Sequence, residues 1–429
     1  MKGLSVSQKR IFQAIFLNFA IISFLFAQFS IQGQMRPRAE FRHGYRQPLT
    51  QNAQGAFFIS QRSRLTLGFQ TELYQMKFAI QDVRVWGDEA HLQDIPSQAL
   101  HEAWAQLRIN PSLSVRFGRQ ELVYDDHRLL GNVNWTQQAR SHDAVVFRFQ
   151  NNSLTLDVGG AYNNDSEKNA RSTYQVKNYQ TLVYFWLKWA SRKSIHISLY
   201  AIHETFVDQG LEATNTKNRL TFGPHLFWNV GLFQLYATGF LQTGKTADNR
   251  DILAYFGALQ VKRQWGALGT HLGIEYLSGQ DKTNTNRFTV FNTLYATNHK
   301  FYGTMDYFLN IPKDTRYGGL IDTYLKLQYD VTSKSKISID THYFRLASDV
   351  ILPFYPTFSI PVEIKPNLGV EIDFALKIKV HDNVQVLAGY SQMFGTDSFF
   401  TLKGGEKDVT QNWMWLMVNV HTDKYSIIP

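Results

Sequence analysis

Arginine alternates with apolar residues near the start of the chain, in a pattern that could bind anions. The charged members of this alternation are Arg36, Arg38, Glu40 and Arg42. The apolar members between them are Met35, Pro37, Ala39 and Phe41. Successive side chains of a strand point to opposite faces, so the charged set shares one face. A guanidinium stays charged at working pH and grips a carboxylate through two hydrogen bonds, which makes this face a candidate anion-binding surface.

Arginine is concentrated in the first third of the chain. Thirteen of the 22 arginines lie between Gln34 and Arg148, where there is one lysine, Lys77, and eleven acidic residues. The alternation assigns five further arginines to the charged face: Arg62, Arg64, Arg108, Arg116 and Arg148. Asp82 and Arg84 join them if a β-bulge lies between Ile80 and Val83. Each arginine could instead pair with an acid on a neighbouring strand, and the stretch carries only three net positive charges.

The same period of two continues along the chain and indicates strands. It is cleanest in Leu368 to Val380, and it recurs in Arg62 to Gln70 and in Ala103 to Ile109. Beyond the N-terminal segment the sequence predicts no spanning helix, because what recurs there is this alternation with a period of two.

Connections of two kinds separate these strands. Asn110 to Ser112, Asn151 to Ser153 and Asp382-Asn383 are tight turns. The long connections are Asp88 to Ser97, Asn163 to Tyr174, Asp208 to Asn218, Asp281 to Thr297 and Phe354 to Lys365. Alternating short and long connections are typical of an outer-membrane barrel, with turns at one end and loops at the other.

The predicted fold is all-β, a transmembrane antiparallel up-and-down β-barrel. About nineteen segments qualify as strands, and Phe301 to Leu309 is the weakest of them. Because single-chain bacterial barrels have even numbers of strands, we predict eighteen, within a range of 16 to 20. A barrel of that size encloses an aqueous channel.

The N-terminus predicts export. Lys2, Lys9 and Arg10 precede an apolar stretch, Ile11 to Phe26, and Ala27 offers a small residue for cleavage. We interpret residues 1–27 as a signal peptide and residues 28–429 as one outer-membrane barrel, because the apolar stretch is short for a membrane anchor. With no cysteine, the chain has neither a disulfide nor an N-terminal lipid. The expected partners are outer-membrane lipid, lipopolysaccharide and the barrel assembly machinery.

Several motifs between Arg62 and Arg148 resemble the outer-membrane alginate export family. They are Arg62-Ser63-Arg64-Leu65, Gln81-Asp82-Val83-Arg84, Glu102-Ala103-Trp104, Gly118-Arg119-Gln120-Glu121-Leu122, Arg128-Leu129-Leu130-Gly131 and Arg140-Ser141-His142-Asp143. The resemblance implies an eighteen-stranded barrel whose electropositive lumen passes anionic polysaccharide. It adds four residues to the expected pore lining: Glu102, Arg119, Glu121 and Arg128. The chain departs from the family pattern at Asp125-Asp126 and at His142 and Ala144.

Other functions are less well supported by the residues. Asp125-Asp126-His127 has ligand types for a metal, but we predict a solvated loop, no metal and no cofactor. No motif selects a nucleophile with a base, so no enzymatic activity is predicted. The basic residues are spread along strands, which argues against nucleic acid as a partner. Three functions remain open: a conduit for anionic saccharide or polysaccharide, a porin of low selectivity, and an adhesin or assembly component that acts through its loops.

Overall fold

The computed structural model describes residues 28–90, 92, 97–169, 178–191, 194–207, 216–246, 248–281, 286–352 and 362–427. The predicted signal peptide, residues 1–27, lies outside the described residues. Most of the predicted loops Asp208 to Asn218 and Phe354 to Lys365 lie outside them as well.

Eighteen antiparallel strands form a closed barrel, which is the number that the sequence predicts. They are β1 (Gln28–His43), β2 (Ala56–Gln70), β3 (Tyr74–Val85), β4 (Gln98–Asn110), β5 (Leu113–Gln120), β6 (His142–Gln150), β7 (Leu154–Tyr162), β8 (Thr181–Ser191), β9 (Ile195–Val207), β10 (Thr216–Val230), β11 (Phe233–Lys245), β12 (Asp251–Trp265), β13 (Leu268–Leu277), β14 (Leu320–Thr332), β15 (Ser335–Arg345), β16 (Asn367–His381), β17 (Val384–Gly395) and β18 (Gln411–His421). Each strand pairs with the next, and β18 returns to β1 with Met417 opposite Arg38, which closes the ring.

The connections sort by length, as predicted. At one end, turns of two or three residues join each even-numbered strand from β2 to β16 to the strand that follows it. At the other end, loops of five residues or more join the remaining pairs. The long-loop end also carries a short hairpin, Val350–Leu352 with Val362–Ile364, and a helix, α2 (Asp397–Lys403), which follows α1 (Ile311–Asp314). Two further short strands, Arg287–Phe288 and Tyr425–Ile427, pair with β12 and β1.

The two faces of the barrel wall differ in polarity. On β16, Ile372 and Phe374 are exposed on the outside, whereas Glu371 and Asp373 are buried on the inside. An outward apolar band with a polar interior is how a barrel sits in lipid. Among the described residues, no helix has the length and apolar character to span a membrane.

Two long connections fold into the lumen. Inner loop A, residues 121–141, joins β5 to β6, and inner loop B, residues 286–319, precedes β14. The amide of Gly131 donates to the carbonyl of Tyr295 at 2.9 Å, and the amide of Thr297 donates to the carbonyl of His127 at 3.0 Å. Inner loop B contains a 3-10 helix, Asn298–Lys300, and α1. The weakest predicted strand, Phe301 to Leu309, belongs to this loop and is not a strand.

Candidate functional site: a lumen constricted by two inner loops

Two of the arginines predicted to face the lumen, Arg36 and Arg62, hold inner loop A against the wall of β1 and β2. Arg36 donates to the carbonyl oxygens of Asn134 and Thr136 at 2.9 and 2.8 Å, and to Oε1 of Gln137 at 3.0 Å. Arg62 donates to Oδ1 of Asn134 at 2.8 Å. Both arginines are buried. They point inward as the alternation predicts, but they bind the loop and are shielded from the solvent of the channel.

An aromatic cluster joins the two inner loops to the barrel wall. Arg38 lies over the ring of Trp135 at 4.4 Å and donates to its carbonyl oxygen at 2.9 Å. On its other side, Trp135 stacks on His299 of inner loop B, with ring centroids 4.6 Å apart. Trp413 and Trp415 of β18 also contact Trp135. The cluster fixes both loops to β1 and β18.

Glu40, on the inner face of β1, is buried and is surrounded by hydrogen-bond donors. Arg38 donates to Oε1 at 2.8 Å, while Arg42 and the indole N–H of Trp413 donate to Oε2 at 2.8 and 3.1 Å. Arg38 and Arg42 therefore pair with an acid, but this acid lies on their own strand and not on a neighbouring one. Arg42 retains partial exposure beside Glu40.

From its contacts with β1 and β2, inner loop A reaches across the lumen, and its tip contacts β8 and β9. Asp125 accepts hydrogen bonds from Trp186, Ser198 and Tyr200 of β8 and β9. Asp125-Asp126-His127 lies in a loop, as predicted, but the loop is only partly solvated, because these wall side chains bind the Asp125 carboxylate.

Arg128 anchors the same loop to β13 through a bidentate ion pair with Glu275, and both side chains are almost completely buried. Its guanidinium also lies 3.5 Å from the centre of the Phe301 ring. Burial opposes the charge, but Glu275 and Asp126 keep the pKa of Arg128 well above its usual value.

Other predicted residues line a recess of about 260 Å³ on β3 to β6. Arg116 donates to Gln106 at 2.9 Å and stacks on Trp104 at 4.2 Å. Arg148 pairs with Asp157 at 2.6 Å and keeps about a third of its side chain exposed.

Arg64 and Arg108 lie near this recess. Arg64 donates to Oε1 of Gln81 at 2.6 Å. Arg108 is exposed beside the short turn that follows β4. It lies opposite Ser114 of β5, on the inner face.

The acidic residues at the mouth of the recess, Glu102 and Glu121, both have partners. Glu102 pairs with Lys77, and its Oε1 accepts the indole N–H of Trp104 at 3.1 Å. Glu121 lies 2.8 Å from Nε2 of His101 and accepts from Asn132 at 2.7 Å. His101, Glu102 and Glu121 are also close enough together to hold a metal ion. Lys77 pairs with Glu102, and His101 and Asn132 hydrogen-bond to Glu121, so this group has an explanation without a metal.

Three residues predicted to face the lumen lie on the outer face. The ladder between β2 and β3 runs without a shift from Gln70 to Ser60, which places Asp82 beside Ser63 and Arg84 beside Gln61. Leu65 and Ile80, also partners in that ladder, are exposed on the outside. The same alternation puts Asp82 and Arg84 outside.

The bulge invoked in β3 occurs in β4 instead. The register between β3 and β4 shifts between Ala79 and Ile80, and His101 is the extra residue. His101 and Glu102 are therefore both buried on the inside. Arg119, two residues after the exposed Phe117, is likewise on the outer face and pairs with Asp143 at 3.2 Å. The motif suggested Arg119, but the alternation of its own strand excludes it.

A second basic group, which the sequence analysis missed, lies on the opposite side of the lumen. Lys262 of β12, His271 of β13 and Lys326 of β14 are direct neighbours in the sheet register. They line a recess of about 560 Å³. In a ring of eighteen strands, β14 is nine strands from β5, so Lys326 faces the Arg116 side across the channel.

Lys300 of inner loop B adds to this group. Its ammonium donates to the carbonyl oxygen of Asp126 at 3.1 Å. Within the described part of the chain, neither Lys262 nor Lys300 has a carboxylate in an ion pair. Partial desolvation lowers the pKa of Lys300, with Arg128 and Lys326 adding to the effect and Asp126 opposing it. Alternation with the exposed Leu259 and Val261 is the signal that could have placed Lys262 inside.

The closed eighteen-stranded barrel, with an apolar exterior and loops folded into a charged lumen, defines an outer-membrane channel. The chain matches the alginate export family model over residues 27–404 and belongs to that family. The sequence has no significant match among curated proteins.

Solved structures with the same fold are outer-membrane barrel porins. OccAB4 of Acinetobacter baumannii superposes with a TM-score of 0.61 at 12% identity, covering 92% of this chain and 98% of that one. OpdK of Pseudomonas aeruginosa superposes with a TM-score of 0.55 at 11% identity, over 92% and 98%. OccAB1 of Acinetobacter baumannii gives 0.59 at 11% identity, over 92% and 96%. At these identities the likeness concerns the fold.

Proposed function

We propose that this protein is an outer-membrane channel for anionic saccharides, with carboxylated polysaccharide segments as its substrate class. The observation that carries the proposal is the pair of basic groups on opposite walls of the lumen. Arg116 and Arg148 lie on β5 and β6, and Lys262, Lys300 and Lys326 lie on β12, inner loop B and β14. Rings of Arg and Lys are the usual device by which a pore selects anions.

The two walls offer different chemistry to a sugar acid. Arg116 stacks on Trp104, so a guanidinium and an aromatic surface lie together in the β3 to β6 recess. Arg148 holds Asp157 through Nε and Nη2, and the exposed third of its side chain can offer the remaining guanidinium donors to a solute. Lys262 and Lys300 are flexible point charges without paired carboxylates in the described residues. Such groups attract a passing carboxylate without fixing its orientation. This combination supports repeated weak binding along the channel, which transport requires.

Block of the ion current tests this proposal. The purified protein is reconstituted in a planar bilayer, and a short oligouronate is compared with a neutral oligosaccharide of equal length. We expect the oligouronate to interrupt the chloride current, and we expect the triple variant K262Q/K300Q/K326Q to weaken that block. Equal effects of the charged and neutral sugars would refute the proposal.

A second candidate is a channel for small organic acids, which the inner loops favour. Both loops lie inside the lumen and contact each other, so they narrow the channel. OpdK, with the same fold, was solved with vanillate, a small carboxylate. Current block by monomeric acids, with no effect of oligouronates longer than a few sugars, would identify this function. The size of the molecule that blocks the current therefore distinguishes the two functions. Block by oligouronates indicates a polysaccharide channel, and block by monomeric acids alone indicates a channel for small acids.

A further inference from the structure

Two carboxylates lie buried side by side beneath inner loop B. Glu371 and Asp373 are two residues apart on the inner face of β16, and their exposed fractions are 0% and 6%. One oxygen of each carboxylate binds the loop. Oε1 of Glu371 accepts the amide of Met305 at 2.8 Å, and Oδ1 of Asp373 accepts the hydroxyl of Thr304 at 2.5 Å.

The other two carboxylate oxygens have no donor. Oε2 of Glu371 and Oδ2 of Asp373 are buried and accept no hydrogen bond from the residues that the structure describes. The hydroxyls of Thr304 and Ser391, 2.6 Å apart, complete a group of oxygen atoms contributed by the loop, β16 and β17. Buried polar atoms in native proteins almost always have a partner, so these two oxygens need an explanation.

The charged groups around this pair do not neutralise it. Asp306 is a further acid, and it is engaged by Tyr45, His299 and Arg46. His342 of β15 lies opposite Glu371 in the register, but its Nδ1 faces Asp322 at 2.9 Å.

Asp340, opposite Asp373, is paired with Lys326 at 3.0 Å. Among the described residues, no Lys or Arg forms an ion pair with Glu371 or Asp373. Two buried carboxylates this close together cannot both stay charged without a cation, so the pair must hold either a proton or a metal ion.

We propose that Glu371 and Asp373, with the hydroxyl oxygens of Thr304 and Ser391, bind one divalent cation, and that Ca²⁺ is the ion that fits. All the atoms offered are oxygens, the ligands that hard cations prefer. One Ca²⁺ balances both carboxylates, whereas one shared proton would leave a negative charge buried. Mg²⁺ usually keeps several of its waters, which suits an enclosed site less well.

The site would clamp inner loop B to the barrel wall. Gly303 has a φ of +73°, and a Cβ there would lie 2.4 Å from Oε1 of Glu371, so the loop backbone reaches the carboxylate directly. A cation held by β16, β17 and Thr304 ties this apex down. The clamp does not depend on which solute the channel passes, so its failure would leave the proposed function standing.

Calcium binding to the refolded full-length chain tests the site. Refolding from inclusion bodies into detergent removes lipopolysaccharide, which itself binds divalent cations. Isothermal titration with CaCl₂ should show one site per chain in the wild type and none in E371Q/D373N. The matched control is E102Q/E121Q, which removes the other lumen carboxylate pair and should keep the site. Heat-modified migration in gels verifies that each variant has folded.

Thr304→Ala provides a milder variant, which should weaken Ca²⁺ binding without removing a charge. In the wild type, Ca²⁺ should raise the unfolding temperature and chelator should lower it. Two results would overturn the proposal. One is Ca²⁺ binding that persists in E371Q/D373N. The other is a wild type that binds no Ca²⁺ at millimolar concentration, which would indicate that the two carboxylates share a proton.

Discussion

The ion pair between Arg128 and Glu275 should determine how firmly inner loop A is held across the lumen. The perturbation is R128M, which keeps a long side chain but leaves Glu275 buried without its partner. Both side chains are almost fully enclosed, and the guanidinium also covers the Phe301 ring. Breaking a buried pair by removing one partner costs about 3 to 5 kcal/mol. At about 1.4 kcal/mol for each factor of ten, the loop should open roughly 10² to 4 × 10³ times more often.

Hydrogen exchange measures this opening directly. The amides of Gly131 and Tyr295 are bonded between the two inner loops, so they exchange when the loops separate. Their exchange should accelerate in R128M by the factor given above, while amides of β10 stay protected. The double variant R128M/E275M leaves no fully buried charge without a partner, because Asp126, the other partner of Arg128, is partly exposed, so it should recover most of the protection. Unchanged exchange in R128M, or a double variant as fast as the single one, would refute this reasoning.

Three further predictions concern the lumen and the wall. Replacement of Trp135 by Ala removes the ring between Arg38 and His299, so single-channel conductance should rise and become noisier; an unchanged conductance would show that the aromatic cluster does not hold the loops. Because its environment lowers the pKa of Lys300, anion selectivity should fall on raising the pH sooner than an ordinary lysine would allow; K300Q should abolish that part of the pH dependence, measured by reversal potentials. The outer-face variants R84Q and R119Q should have the same anion selectivity as the wild type. A shift in reversal potential would indicate that these residues face the lumen.

The barrel could be predicted from the sequence because alternation is a local property. Lipid on one side and water on the other impose a period of two on each strand, and β16 shows it in Ile372 and Phe374 against Glu371 and Asp373. The strand count follows from the same signal with the requirement for an even number. The segment Phe301 to Leu309 shows the weakest strand pattern and is not a strand, because its aromatic residues pack inside the lumen and face no lipid.

The contents of the lumen could not be predicted in the same way. Arg36 binds residues about one hundred positions away in inner loop A, and no local pattern reveals such contacts. The place of the β-bulge depends on how β4 pairs with β3, so a bulge assumed from the sequence of β3 alone misplaced Asp82 and Arg84. Lys262 and Lys326 follow the alternation of their own strands, but they lie outside the arginine-rich first third of the chain, where the sequence predicts the basic surface.

The reversal potential of the wild-type channel in a KCl gradient tests the central claim most directly. The measurement compares chloride with potassium and needs no knowledge of the natural substrate. The basic groups on both walls predict a potential of the sign set by chloride, which shrinks toward zero in K262Q/K300Q/K326Q and is retained in R84Q/R119Q. A potential near zero, or of the sign set by potassium, would contradict an anion channel.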